Sequence, residues 1–195
     1  PIVLTGAQRS IWKPRSDGQN NMYMAIQAAT KDFGEVVIAF GNYVLRGTRS
    51  RKINEEGYNA FDTPDLAPLG KLTSLEEGIR LADHRVRKGD SDPQLFTDFD
   101  TRIFNYAPVS GATVDEDLLM IAASEHNHGI LLAGFGAGNV PDRLLPFIKA
   151  AKEHEKPIFV YTKCDIGAAD MGIYTVGSAS LEAGAQPVGD MTLEA

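Results

Sequence analysis

The sequence predicts an α/β fold of two parallel sheets flanked by helices, carried on two domains. Three observations predict it. Short apolar runs alternate with segments of helical period along most of the chain. A charged stretch with few large apolar residues separates two such series. Polar or glycine-rich segments follow several strand candidates, which is where open parallel sheets place their ligands.

In order, Pro1-Ile2-Val3-Leu4-Thr5, closed by Gly6, reads as a buried strand. Gln8 to Asn20 is too rich in turn formers to be regular. Met22, Ala25, Ile26 and Ala29 give Asn21 to Lys31 a helical period. Val36 to Phe40 is a second strand; Gly41-Asn42 turns and Tyr43-Val44-Leu45 returns as a hairpin arm. Tyr58 to Leu69 is loop, and Thr73 to Phe99 reads as an interdomain linker. A fresh alternation follows: a strand at Thr101 to Tyr106 and a helix at Val114 to Ser124 with acids in its first turn. Then come a strand at Gly129 to Ala133, a helix at Pro141 to His154 and a strand at Pro157 to Tyr161. The expected boundaries are 1–85 for the first domain, 86–100 for the linker and 101–195 for the second domain.

Composition excludes more than it identifies. The chain has 195 residues with 19 Lys+Arg against 26 Asp+Glu, a net charge of −7. That acidity argues against a general nucleic-acid binder, whose footprint is basic. No apolar run approaches a membrane span. The single cysteine, Cys164, excludes an internal disulfide and a cysteine-rich metal site. A cytoplasmic location is the expectation.

The residues leave several chemical readings open. Gly134-Phe135-Gly136-Ala137-Gly138-Asn139 is either a weak dinucleotide fingerprint or a tight turn between strand and helix. The acid in Pro141-Asp142 favours the turn. His126 and His128 share a metal or belong to a polar loop; no third ligand lies near in sequence. Cys164 beside Lys163 is a low-pKa thiol or a semi-buried small residue. Lys52 either joins Arg46, Arg49 and Arg51 on a solvated basic face or turns into a site as a base.

Several motifs together resemble the L-asparaginases of the bacterial cytoplasmic (type I) branch. They are Pro1 to Arg9; Ser16-Asp17-Gly18-Gln19 with Asn21; Leu45-Arg46-Gly47-Thr48-Arg49-Ser50-Arg51-Lys52; and Asn59-Ala60-Phe61-Asp62-Thr63-Pro64. The glycine-rich turn to Asn139, Met171-Gly172-Ile173-Tyr174 with Gly177, and Gly189 to Ala195 complete the pattern. The resemblance implies a glutaminase/asparaginase-like fold, with a flavodoxin-like sheet in the second domain, and hydrolysis of L-asparagine to L-aspartate and ammonia. The implied route is a threonine acyl-enzyme, with no cofactor and no metal. It implies Lys52 as the catalytic lysine of a relay, and Ala7, Gln8 and Ser16 as substrate contacts. Asn139 and Asp170 would reach the site of a neighbouring subunit in a homodimer or homotetramer.

The family's nucleophilic Thr-Gly-Gly-Thr element and its later Thr-Asp element match nothing here. The only Thr-Gly is Thr5-Gly6, already placed in a later strand. The resemblance therefore implies the middle and carboxyl portion of an asparaginase, its amino-terminal strands and last helix missing, inactive alone. It is either a fragment or a separate polypeptide needing a partner. The strand at Pro1 should then expose apolar edges, and the chain should associate or be poorly soluble. Two rivals remain: an asparaginase-like subunit of a tRNA-dependent amidotransferase, and a non-catalytic amino-acid-binding chain.

Overall fold

A computed structural model of the chain describes residues 1–74, 78–90, 92–111, 116–173 and 175–195. The expected helix start at Val114 and Asp115, and Tyr174 of the Met-Gly-x-Tyr element, lie outside the described residues. The fold is mixed α/β and forms two compact units, 1–93 with 194–195, and 94–193.

In the first unit, β1 (Ile2–Leu4) leads through a polar loop into α1 (Gly18–Ala29). The hairpin β2 (Val36–Phe40) and β3 (Tyr43–Arg46) follows, turned by Gly41 at φ 61°. Two short pairs complete the unit: β4 (Arg51–Lys52) with β5 (Phe61–Asp62), and β6 (Gly70–Leu72) with β7 (Ile79–Leu81). The main sheet has the order β1-β2-β3-β6-β7. Only β1–β2 is parallel, with Val3 opposite Val37; the other pairs are antiparallel. This sheet is therefore mixed where the sequence predicted a parallel one. Gly41-Asn42 alone joins β2 to β3, and six residues join β6 to β7, too few for a crossover helix. Met24, Ala28, Phe33, Val37, Ala39 and Val44, all fully buried, form the core between α1 and the sheet.

The stretch from Thr73 to Phe99 is not simply a linker. It contains β7, whose Ile79 is buried. Val86 N–H donates to Glu35 Oε1 at 2.9 Å, and Gly34 N–H donates to the Val86 carbonyl at 2.8 Å. Among its described residues only Ile79 and Leu81 turn inward, on a strand of three residues, while Val86, Leu95, Phe96 and Phe99 are exposed, so the signal is too sparse for periodicity to register.

In the second unit, β8 (Ile103–Tyr106), α2 (Glu116–Ala123) and β9 (Gly129–Gly134) are followed by a 3₁₀ turn (Asp142–Leu144) and α3 (Leu145–Glu153). Then come β10 (Ile158–Thr162), α4 (Thr175–Ala183) and β11 (Ala185–Pro187). The sheet order β11-β10-β9-β8 is parallel throughout, as predicted. Leu132, Val160, Phe147, Ile148 and Met171 fill its core. At the other extreme, β1 forms the edge of the first sheet with Ile2 and Leu4 each 53% exposed. Among the described residues, no helix is long and apolar enough to cross a membrane.

Candidate active-site residues

The first unit builds its candidate site at the carboxyl ends of β1 and β2. Thr5 is tied to the sheet there, its hydroxyl donating to the Ala39 carbonyl at 2.7 Å. The loop that follows is held from below by the start of α1. Asp17 is the N-cap of that helix yet makes no side-chain cap bond. Its carboxylate turns back instead. Oδ2 accepts the Gln8 N–H and Oδ1 the Arg9 N–H, each at 3.0 Å. Asn21, one helical turn on and fully buried, donates from Nδ2 to Asp17 Oδ2 at 3.0 Å and to the Gly6 carbonyl at 2.9 Å. Its Oδ1 accepts the Gly41 N–H at 3.0 Å, so one amide joins the ends of both strands.

Burial pushes the Asp17 carboxyl up, but hydrogen bonds from the Gln8 and Arg9 backbone and from Asn21 outweigh it. The net effect holds the group below the ordinary carboxylate range. Ser16 adds a second clamp: its hydroxyl donates to the Arg9 carbonyl at 2.7 Å and accepts the Gly18 N–H at 3.0 Å. Gly18 packs closely under this loop. A Cβ there would lie 3.2 Å from Ser16 Oγ and 3.3 Å from Ala7 Cβ.

Gln8 carries the loop across to the segment after β4. Its Nε2 donates to the carbonyls of Asn54, Glu55 and Gly57 at 3.3, 2.7 and 3.2 Å. Lys52 Nζ meets Glu55 Oε2 at 2.9 Å, with the lysine side chain 40% exposed. Gln8 and Lys52 thus converge on Glu55. Tyr58 donates to the Arg15 carbonyl at 2.6 Å, bracing Arg15 at φ 61°, a left-handed conformation that disfavours a side chain. Arg46 does not share a solvated basic face with Lys52. Its guanidinium is bound to Glu35, Nε to Oε2 at 2.5 Å, with both side chains largely covered.

The second unit laces the carboxyl ends of β8, β9 and β10. The segment Gly134 to Asn139 is a tight turn: Phe135 and Asn139 exchange two backbone bonds of 2.8 Å. Thr162 Oγ1 donates to the Gly136 carbonyl at 2.5 Å, and Lys163 Nζ donates to the Pro108 carbonyl. A Cβ on Gly138 would touch Ala169 and Met171, the residues flanking Asp170. Asn139 and Asp170 therefore sit on adjoining segments. Asn139 Oδ1 is buried without a hydrogen-bond partner among the described residues. Asp170 is exposed, and its Oδ1 accepts the Gly172 N–H at 3.2 Å.

Two family models cover most of the chain. That for the N-terminal asparaginase domain matches residues 1–86, and that for the glutaminase/asparaginase C-terminal domain matches residues 110–195. The chain belongs to the asparaginase family. Its relatives include the L-asparaginase of Thermococcus kodakarensis, 32% identical over all of this chain and 58% of that protein. A component of the glutamyl-tRNA(Gln) amidotransferase of Methanothermobacter thermautotrophicus is 30% identical over all of this chain and 46% of that component. Among solved structures, the thermostable T. kodakarensis L-asparaginase superposes with a TM-score of 0.89 at 32% identity. L-asparaginase I from Vibrio cholerae gives 0.87 at 30% identity; this chain is covered whole and 58% of each of those chains. The chain thus spans about half the length of the relatives it matches.

Within this asparaginase-family chain, Ala7, Gln8, Ser16 and Lys52 lie in the first unit, Asn139 and Asp170 in the second. Asp17 and Asn21 were missed as individual residues. The signal was their four-residue spacing at a helix start, which puts both side chains on one face. Cys164 is exposed rather than semi-buried: it lies just beyond the end of β10, with its N–H on Thr162 Oγ1. His128 pairs with Asp100 through Nδ1. Among the described residues, no three His, Cys, Asp or Glu side chains come together as a metal site would require.

Proposed function

We propose that this chain is the lysine-bearing part of an L-asparaginase. The reaction is hydrolysis of L-asparagine to L-aspartate and ammonia through a threonine acyl-enzyme, without metal or organic cofactor. The observation that carries the reading is the convergence of Gln8 and Lys52 on Glu55. It stands beside the 32% identity to the T. kodakarensis L-asparaginase.

A threonine hydroxyl is a weak nucleophile until a base takes its proton. Lys52, in its neutral form, receives that proton through a second threonine. The hydroxyl oxygen attacks the side-chain amide carbon, the C–N bond breaks, and ammonia leaves with the proton returned. Water then releases aspartate. The backbone at Ala7 faces the substrate amide, where oriented donors are worth roughly 3 kcal/mol in the transition state. Gln8 and Ser16 hold that backbone. Asn139 and Asp170 complete the site of a neighbouring subunit in a cytoplasmic homodimer or homotetramer. Both threonines come from a segment this sequence does not match.

A second reading has its own support in the 30% identity to the M. thermautotrophicus amidotransferase component. There the ammonia would pass to a partner acting on charged tRNA. Ammonia release separates the two. The chain is assayed alone and joined to a segment bearing the Thr-Gly-Gly-Thr and Thr-Asp elements, on free L-asparagine with and without glutamyl-tRNA(Gln). Release from the free amino acid supports the asparaginase. Release only with the tRNA and its partner protein supports the amidotransferase. Binding of asparagine with no turnover in any combination points to a non-catalytic chain.

A further inference from the structure

We infer that Asp17 is a positioning residue, fixing the backbone of residues 6–9 in the conformation that binds ligand. The inference rests on the reading of that loop as substrate-facing and names the group that sets it. A carboxylate at a helix N-cap ordinarily satisfies the first N–H groups of its own helix. Asp17 forgoes that role and places both oxygens on the loop, at the Gln8 and Arg9 N–H groups. It does so at 7% exposure, where an ionised carboxylate is costly unless well hydrogen-bonded. Asn21 ties the same carboxylate to the Gly6 carbonyl.

The anchors therefore fall on either side of Ala7: Gly6 before it, Gln8 and Arg9 after it. Ala7 itself is exposed, and among the described residues its peptide groups take no hydrogen-bond partner. A peptide unit pinned at both neighbours and left unpaired is preorganised to receive a ligand at little ordering cost. The helix start needs only a small capping residue. The loop needs two acceptor oxygens side by side, which a carboxylate supplies.

The test uses the ¹⁵N-labelled chain titrated with L-aspartate, with Asp17→Asn and Asp17→Ala alongside. In the parent, L-aspartate should shift the Ala7 and Gln8 amide resonances. Asp17→Ala should weaken its affinity about tenfold or more. Asp17→Asn should fall between, because one carbonyl oxygen keeps one of the two backbone bonds. This near-isosteric variant carries the test if Asp17→Ala does not fold. Ile79→Ala, a core variant on the far edge of the same sheet, should lower the melting temperature and leave affinity alone. Parent-like affinity in folded Asp17 variants would overturn the inference, as would an equal loss in Ile79→Ala. A parent whose Ala7 and Gln8 resonances ignore the ligand would overturn the reading of the loop itself.

Discussion

Replacing Gly134 with alanine should break the turn that carries Asn139. The added Cβ would lie 2.6 Å from both the Cα and the carbonyl carbon of Gly138, and 2.8 Å from its oxygen. Ordinary contact begins near 3.4 Å. The obstacle is backbone, so no side chain can swing aside. Relief requires the turn to open, which breaks the two 2.8 Å bonds between Phe135 and Asn139. Two net hydrogen bonds amount to about 1–3 kcal/mol. Alanine restricts the unfolded chain and returns about 0.4–1 kcal/mol. The balance is a loss of roughly 1–2 kcal/mol, or about 5–15 °C in melting temperature for a unit of this size. The assay is a calorimetric melt of parent and variant. Gly172→Ala serves as control, since among the described residues its Cβ would meet only Asp170 Oδ1, at 3.5 Å. A Gly134→Ala protein melting with the parent and the control would refute this account of the turn.

Three further outcomes are expected. The Asp17 carboxyl titrates lower in the folded chain than its ordinary 3.8. Its contribution is thus complete above that value and lost as pH falls through the folded one. Stability measured between pH 5 and pH 2 should fall more steeply in the parent than in Asp17→Asn, and parallel curves would contradict this. Phe147 is fully buried with its ring edge-on to Tyr106, centroids 6.3 Å apart. Phe147→Ala should cost about 3–5 kcal/mol in urea unfolding. An unchanged midpoint would be incompatible with the core described. Ile2 and Leu4 on the β1 edge, with Met22, Tyr23 and Ile26 at 50–61% exposure on α1, should drive association. Sedimentation should show concentration-dependent oligomers; a monodisperse monomer throughout would contradict that.

What the sequence made legible follows from how each element buries itself. Val36 to Phe40, Gly129 to Ala133 and Pro157 to Tyr161 read as strands because each is a continuous apolar run; β9 is covered along nearly its whole length, while Val36 of β2 and Phe159 of β10 are exposed. The helix expected over Pro141 to His154, with Pro141 at its start, forms over Leu145–Glu153 after the 3₁₀ turn, with Pro146 in its first turn. α4 was not visible, because it packs through small residues, Ser180 and Ala183, with no apolar stripe to find. β11 is three residues ending in proline, below any pattern. At the candidate site, Lys52 was legible only through the motif around it. Glu55, its partner, is an ordinary exposed acid until the fold brings Gln8 to the same residue. Asp17 and Asn21 stand in the Ser16-Asp17-Gly18-Gln19 motif and its extension, but their partners are backbone groups of a separate loop. Side-chain type and spacing do not encode such contacts.

The proposed role of Lys52 is to supply the proton-accepting group of an asparagine-hydrolysing site. It is tested by ammonia release from L-asparagine by the chain joined to a segment bearing the two threonine elements, comparing the parent with Lys52→Ala. Loss of a positioned base should lower turnover by about 10²–10⁴-fold, with L-aspartate binding retained. Turnover in Lys52→Ala equal to that of the parent would contradict the claim.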